Sequence, residues 1–287
     1  MTTIKHILFP IDFSERCRAT VPYVAAMAKR HGAKISLLNV VQPYWYVPMV
    51  EAPPVIVDLD EIRRSIERDL SQGFAEEFAG LVVEHSVEIG DPAEIIIQFA
   101  ENHDVDLVMM PTHGYGRFRE FLLGSVTAKV LHDCKRPVWT SAHLQNPQQP
   151  IPWDVSNILC AIDLAPQSAD ILKSASKFAQ DIGAELRLVH AVPAPSAWPD
   201  RQLDAPFEAG LIKDARRAIS EWQKSLGVVA PLCVLRGDVA SVVRESAQRH
   251  KADLVFIGRG VLNEKLGRLR TNAYAIIRQS PCPVLSA

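Results

Sequence analysis

Short apolar runs and amphipathic segments alternate along the whole chain. The first apolar run, residues 7–11, is followed by apolar positions at helical spacing, among them Val21 and Val24. Ser14 is a residue type that caps helix N-termini, and Gly32 suits the left-handed residue that ends a helix. The pattern predicts strands over about 5–11, 34–41, 82–88, 105–110 and 137–140, and helices over about 14–31, 59–79, 92–102 and 125–134.

The same order of segments returns in the second half of the chain. Residues 7–12 (ILFPID) match residues 158–163 (ILCAID), and residues 32–37 (GAKISL) match 183–188 (GAELRL). A repeat this long indicates tandem domains rather than a solenoid. Proline and glutamine dominate the segment between the copies, which is typical of a short extended linker. We therefore predict one domain over 1–143, a linker over 144–153 and a second domain over 154–287.

Strands that alternate with helices predict an α/β fold in which helices cover both faces of a parallel sheet. The unbroken apolar runs 107–110 and 254–257 support fully buried strands. Ligands of such sheets bind beyond the carboxyl ends of the strands. Asp12, Val40 and the segment that starts at Pro111 all fall at such ends.

Composition excludes several other classes of protein. The chain has 287 residues and a formal net charge of −2, which gives no reason to expect nucleic-acid or membrane-surface binding. The run at residues 7–11 is too short for the core of a signal peptide, and the sequence contains no stretch of about 18 apolar residues. Five scattered cysteines form no Cys-x-x-Cys pair, so we expect reduced thiols, no metal site and a cytoplasmic location.

The strongest local motif joins residues 111–114 (PTHG) to residues 124–127 (GSVT), nine residues further on. Gly114 allows a tight turn after the strand, and Gly124 lets the backbone approach a ligand closely. Ser125 and Thr127 lie where a helix begins, and the free N–H groups of a helix N-terminus favour phosphate. On this pattern alone, Gly124 and Ser125 could equally be a simple helix cap.

These pieces together resemble the universal stress protein family. The resemblance rests on residues 7–15 (ILFPIDFSE), 37–40 (LLNV), 90–92 (GDP), 106–110 (DLVMM) and the 112–127 motif, in that order. It implies two Rossmann-like domains, each with five parallel strands in the order 3-2-1-4-5. It also implies pairing through the last strand, either between the two domains of one chain or in a homodimer.

The resemblance further implies an adenine-nucleotide site in the first domain. Asp12 would contact the adenine side, while Val40 would line the adenosine pocket. In the family, the motif Gly-x2-Gly-x9-Gly-Ser/Thr holds the ribose and phosphates. In this chain, Pro111 replaces its first glycine. The implied site residues are Pro10, Asp12, Val40, Met110, Pro111, Gly114, Gly124, Ser125, Val126 and Thr127.

The second copy departs further from this pattern. Gly258 occupies the first motif position, but Val261 replaces the middle glycine and Arg270 stands where Gly124 stands in the first copy. We therefore expect a degenerate second site.

The sequence thus predicts a stress-response protein that binds ATP or a related adenine nucleotide, with Mg²⁺ where the nucleotide brings it. No carboxylate pair or general base accompanies the motif, so we expect no catalytic residues and at most weak ATP hydrolysis. A scaffold or dimerisation module without nucleotide remains open, as does another small ligand under the segments 42–57 and 193–206. An adenylating enzyme is disfavoured, because residues 10–14 (PIDFS) stand where its phosphate loop would be.

Overall fold

The computed structural model describes residues 4–42, 59–114, 123–142, 154–165, 167–192, 205–259 and 271–287. The predicted linker and the segments 43–57 and 193–204 lie outside these ranges. The first domain comprises β1 (His6–Pro10), α1 (Glu15–His31), β2 (Lys34–Val41), α2 (Leu59–Gly73), β3 (Val83–Ile89), α3 (Pro92–Asn102), β4 (Leu107–Met110), α4 (Ser125–Asp133) and β5 (Val138–Thr140). The second comprises β6 (Asn157–Ala161), α5 (Ser168–Ile182), β7 (Glu185–Val192), α6 (Ala205–Leu226), β8 (Leu232–Arg236), α7 (Val239–Arg249), β9 (Leu254–Ile257), α8 (Thr271–Gln279) and β10 (Val284–Ser286).

The strand order confirms the predicted fold. The first five strands lie in the order β3-β2-β1-β4-β5, and the second five repeat it as β8-β7-β6-β9-β10. Within each domain every pair is parallel; Ile7, for example, pairs with Ile35 of β2 on one side and Leu107 of β4 on the other. The strand β1 therefore lies at the centre of its domain, where the chain changes direction across the sheet.

The two domains share one ten-stranded sheet. β10 pairs with β5 in antiparallel fashion, with Leu285 opposite Trp139. The Ser286 hydroxyl adds a 3.0 Å hydrogen bond to the Val138 carbonyl. Both last strands are therefore used for pairing inside a single chain, and the homodimer, the other predicted alternative, stays a prediction.

Side-chain alternation along the strands divides the core into two layers. Ile7 and Phe9 of β1 face one layer, with α1 and α2, whereas Leu8 faces the other, with α3 and α4. Each side chain of this kind stabilises the fold by about 1.5–3 kcal/mol through burial. The layer that contains α4 of the first domain also contains α8 of the second, since it includes both Val130 and Ile277.

The ends of the first helix match the prediction. The Ser14 hydroxyl accepts a hydrogen bond from the Cys17 N–H, and Gly32 adopts φ 63°. The prediction of a helix over 59–79 was too long, because α2 ends at Gly73 and turns continue to Gly80, which has φ 80°. Apolar spacing persists through these turns, where Phe74 and Phe78 are both buried, so periodicity alone misplaced the end.

All five cysteines are free thiols, and four of them are buried. Burial raises the pKa of Cys17, Cys160 and Cys282 to about 12, so these thiols stay protonated at neutral pH. Among the described residues, no helix has both the length and the apolar character that crossing a membrane requires.

Candidate functional site

The candidate site lies at the carboxyl edge of the first domain's sheet, where β1, β2 and β4 end side by side. The ends of these strands bring Pro10 and Asp12, Val40, and Met110 together. Pro10 and Val40 are half-buried, and Met110 is buried. The edge therefore has an apolar floor with one carboxylate, Asp12, exposed beside it.

A strained corner fixes the position of Asp12. One oxygen of its carboxylate accepts a 2.9 Å hydrogen bond from the Ser14 N–H, two residues further on. Phe13 between them has φ 61°, a conformation that residues other than glycine rarely adopt. The Phe13 ring stacks on Phe74 of the α2 end at 6.2 Å, which helps to hold the corner. Such strain is expected where neighbouring structure holds a functional group in place.

Asn39, a buried residue of β2, ties the second strand to this corner. Its Nδ2 donates a 2.8 Å hydrogen bond to the Ile11 carbonyl, one residue before Asp12. This role was not predicted from the sequence. The one signal for it was a lone amide between Leu38 and Val40, in the otherwise apolar run 37–41.

The loop after β4 is joined to the start of α4 by two hydrogen bonds. The Gly124 N–H donates to the Thr112 carbonyl at 2.8 Å, and the Thr127 hydroxyl donates to the Pro111 carbonyl at 3.0 Å. A Cβ on Gly124 would approach the His113 Cα to 3.1 Å, so this close contact favours glycine. The two halves of the predicted motif therefore meet in space.

The N-terminus of α4 lacks the side-chain cap that three other helices of this chain have. Ser14, Asp91 and Asp238 each cap a following helix with their own side-chain oxygen. Gly124 is the N-cap of α4 and has no side chain to do so, and no acidic residue occupies the first turn. In the part of the chain that the structure describes, no cap side chain accepts from the first-turn N–H groups, which with the positive end of the helix dipole suit an anion.

The predicted site residues occupy three different environments. Ser125 is exposed at the helix start, and Val126 is half-buried beside it. Thr127 is buried, so its hydroxyl holds the loop through Pro111 rather than facing solvent. Gly114 lies directly against the Asp12 carboxylate. The structure thus brings the β1 corner, the β4 loop and the α4 N-terminus to one edge.

Ion pairs connect α4 to the start of α3 in the same domain. The Lys129 ammonium contacts Glu94 at 2.9 Å and Asp91 at 3.4 Å, both at the start of α3. The hydrogen bond with Glu94 raises the pKa of Lys129, and backbone N–H donation from Glu94 lowers the pKa of Asp91. Within the ranges that the structure describes, no three His, Cys, Asp or Glu side chains are grouped to hold a metal ion.

Comparison with known proteins identifies the family. The sequence model of the "Universal stress protein family" matches residues 3–141 and again residues 155–286. The chain belongs to the universal stress protein family. The two matches together cover nearly all of it, one for each domain.

Two universal stress proteins are each similar to about half of this chain, whereas one solved structure matches nearly all of it. Universal stress protein MJ0577 of Methanocaldococcus jannaschii is 27% identical over 150 residues, which cover 47% of this chain and 92% of that protein. Universal stress protein Slr1230 of Synechocystis sp. is 26% identical over 138 residues, or 48% of this chain and 42% of that protein. A universal stress protein structure from Archaeoglobus fulgidus matches 98% of this chain and 95% of its own, with TM-score 0.68 and 23% identity. That likeness concerns the fold alone.

The second universal stress protein domain forms a cavity of about 200 Å³ at the corresponding edge. Smaller residues line it at four positions: Ala161 replaces Pro10, Ala191 replaces Val40, Gly258 replaces Pro111 and Ala273 replaces Thr127. A Cβ on Gly258 would approach Ile171 of α5 to 2.8 Å, so the glycine also allows this helix to pack closely.

Polar groups at one end of this cavity keep the arrangement seen in the first domain. Asp163 corresponds to Asp12, and its carboxylate accepts hydrogen bonds from the Ala165 N–H and the Ser168 hydroxyl. His190 corresponds to Asn39 and donates from Nδ1 to the Ile162 carbonyl at 2.8 Å. Val261 and Arg270, on which the expectation of a degenerate site rests, lie outside the described residues.

Proposed function

We propose that this chain is a cytoplasmic stress-response protein that binds ATP or a related adenine nucleotide in its first domain and acts as a sensor or regulator. The observation that carries the proposal is the meeting of Asp12, Gly114 and the uncapped N-terminus of α4 at one edge of the sheet. A polar acceptor at one end and an anion site at the other suit a nucleotide.

Each part of the edge suits one part of that ligand. The Asp12 carboxylate accepts hydrogen bonds from N–H or O–H groups, which the base and ribose supply. Pro10, Val40 and Met110 offer apolar surface to the adenosine. Gly114, Ser125 and Val126 offer backbone N–H groups to the phosphates, Gly124 lets the loop approach closely, and Thr127 holds the loop in position.

Binding without significant turnover is the form of this function that we favour. His113, the titratable side chain next to Gly114, is buried, and its Nδ1 lies 3.1 Å from the Thr112 hydroxyl. Such a ring is a poor general base for water attack. We therefore propose at most slow ATP hydrolysis, with any Mg²⁺ carried by the phosphates of the nucleotide.

Calorimetric titration of the full chain with ATP, with and without Mg²⁺, tests the proposal. We expect one nucleotide per chain and a melting temperature that rises with ATP concentration, because a ligand that binds only the folded state stabilises it. Absence of both heat and thermal shift would instead favour a scaffold that uses its paired sheet without a nucleotide. Two nucleotides per chain would contradict the degenerate second site.

A second candidate function follows from the cavity in the second domain. Its walls are mainly apolar, with Asp163 and His190 at one end, so it suits a small molecule without phosphate. Native mass spectrometry of the purified full chain would reveal such a molecule. Ala191→Leu, which fills the cavity, should remove it, whereas Asp12→Ala should leave it in place.

A further inference from the structure

The helix α4, whose N-terminus forms the phosphate end of the proposed site, is contacted at both ends by the other domain. The antiparallel pairing of β5 with β10 makes this possible, because it brings α4 and α8 into the same core layer. The contacts come from Tyr274 on α8 and from Arg259 just after β9.

Tyr274 contacts the residue that precedes the phosphate loop's glycine. Its hydroxyl oxygen accepts a 3.2 Å hydrogen bond from the N–H of Leu123, which is itself buried. The next N–H, that of Gly124, donates to the Thr112 carbonyl. Two consecutive N–H groups are therefore fixed, one by the second domain and one by the first, immediately before the open first turn of α4.

Arg259 holds the opposite end of the same helix. Its side chain is 2% exposed, and its guanidinium donates to the Cys134 carbonyl at 2.8 Å and to the Arg136 carbonyl. Cys134 is the C-cap of α4, where carbonyl groups lack helical partners and a positive charge complements the dipole. Arg259 directly follows Gly258, so it occupies the position that Thr112 occupies in the first domain.

We propose that the second domain completes the nucleotide site of the first by positioning α4, with Tyr274 as a positioning residue for the phosphate loop. This inference rests on the proposed nucleotide-binding function. The direction of an N–H group determines whether it reaches a phosphate oxygen, so a loop released at Leu123 binds phosphate less well. Among the described residues, Tyr274 makes no hydrogen bond to the base and ribose end, built by Asp12 and Val40, so that end should remain as it is.

The variant Tyr274→Phe in the full chain removes the acceptor and keeps the ring. We expect the Kd for ATP to rise roughly two- to tenfold, the range that one net hydrogen bond supplies, and the Kd for adenosine to stay unchanged. Hydrogen exchange in the ligand-free protein should become faster in the segment that begins at Leu123. Tyr23→Phe is the matched control, because Tyr23 packs against Trp139 in the other core layer.

The two measurements distinguish this inference from the proposed function. Equal weakening of ATP and adenosine, or unchanged exchange at Leu123, would overturn a positioning role for Tyr274. If the parent protein bound neither ligand, the proposed function would fail. The exchange measurement would still decide in that case whether the Tyr274 hydroxyl holds the loop.

Discussion

The carboxylate of Asp12 lies in the space that a Cβ atom on Gly114 would occupy. Any side chain at residue 114 would overlap Oδ2 of Asp12 well inside van der Waals contact. The Asp12 carboxylate can therefore occupy this position only because residue 114 is glycine. This contact brings the end of β1 and the loop after β4 together in space, which the spacing of the motif in the sequence does not reveal.

Gly114→Ala should weaken nucleotide binding while the fold is retained. The added methyl group must displace the Asp12 carboxylate, which lies at the end of a side chain and can rotate away from its contact with Ser14. We expect a higher Kd for ATP in calorimetry. Gly210→Ala in α6 is the control, since its Cβ would meet nothing within 4 Å and should stabilise the helix by about 0.5–1 kcal/mol. Unchanged affinity in Gly114→Ala would show that the position of Asp12 does not matter.

Asp12→Ala should lower the affinity for adenine nucleotide by roughly 1.5–3 kcal/mol, the usual cost of losing a charged hydrogen-bond partner. Asp12 is exposed, so its removal should not unfold the domain. Asp163→Ala is the matched change in the second domain and should leave ATP affinity unchanged. The opposite result, in which only Asp163→Ala loses binding, would place the nucleotide in the second domain.

Local rules explain what the sequence could predict. The parallel sheet followed from the alternation of apolar runs with helical periodicity, and the ends of α1 followed from the residue types of Ser14 and Gly32. The strand order itself was implied by the family resemblance. The corner at Asp12 was predicted as a strand end. The positive φ of Phe13 was not, because it accompanies a contact with Phe74, which lies far from it in the sequence.

The contacts between the domains lay beyond sequence reasoning. Tyr274 and Arg259 follow no local motif, and their roles depend on the pairing of β5 with β10. Thr127 shows a similar limit. Its residue type suggested a ligand contact, whereas its burial turns the hydroxyl toward the Pro111 carbonyl.

His6 should make the free energy of unfolding depend on pH. Burial lowers its pKa from 6.5, although a hydrogen bond to the His103 carbonyl and the charges of Glu84 and Asp106 oppose this; Lys34 adds to the lowering. The unfolded chain therefore binds a proton below about pH 6.5 that the folded chain does not. The contribution of neutral His6 to the free energy of unfolding should be complete above that pH, decrease as the pH falls towards the folded pKa, and then stay constant.

Urea unfolding between pH 5 and 8 measures this contribution. His6→Asn cannot titrate, so its stability should decline less steeply below pH 6.5 than that of the parent. His31→Asn should act in the same direction, because burial also lowers the pKa of His31. Parallel curves for the parent and His6→Asn would show that His6 has the same pKa in both states.

Pro111→Gly should tighten nucleotide binding and lower the stability of the free protein. Proline has no N–H, whereas glycine at residue 111 would add a donor directly after β4. If that donor reaches the ligand, it should contribute about 0.5–1.5 kcal/mol, or more to a charged phosphate. The Pro111 carbonyl, which accepts the Thr127 hydroxyl, remains in the variant, so the connection between the loop and α4 is kept. Glycine also increases the entropy of the unfolded chain, which costs roughly 0.4–1 kcal/mol, and the lost burial of the ring adds to this.

Thermal unfolding with and without ATP separates the two effects of Pro111→Gly, because they act in opposite directions. The free variant should melt at a lower temperature than the parent, yet ATP should raise its melting temperature by more. Pro137→Gly provides the control, since Pro137 precedes β5 and its carbonyl accepts the Val108 N–H away from the candidate site. That variant should lose stability without a larger ATP response. If Pro111→Gly bound ATP no better than the parent, an N–H at residue 111 would not donate to the nucleotide. If the parent also bound no ATP, the result would favour the scaffold function, in which the shared ten-stranded sheet has a structural role.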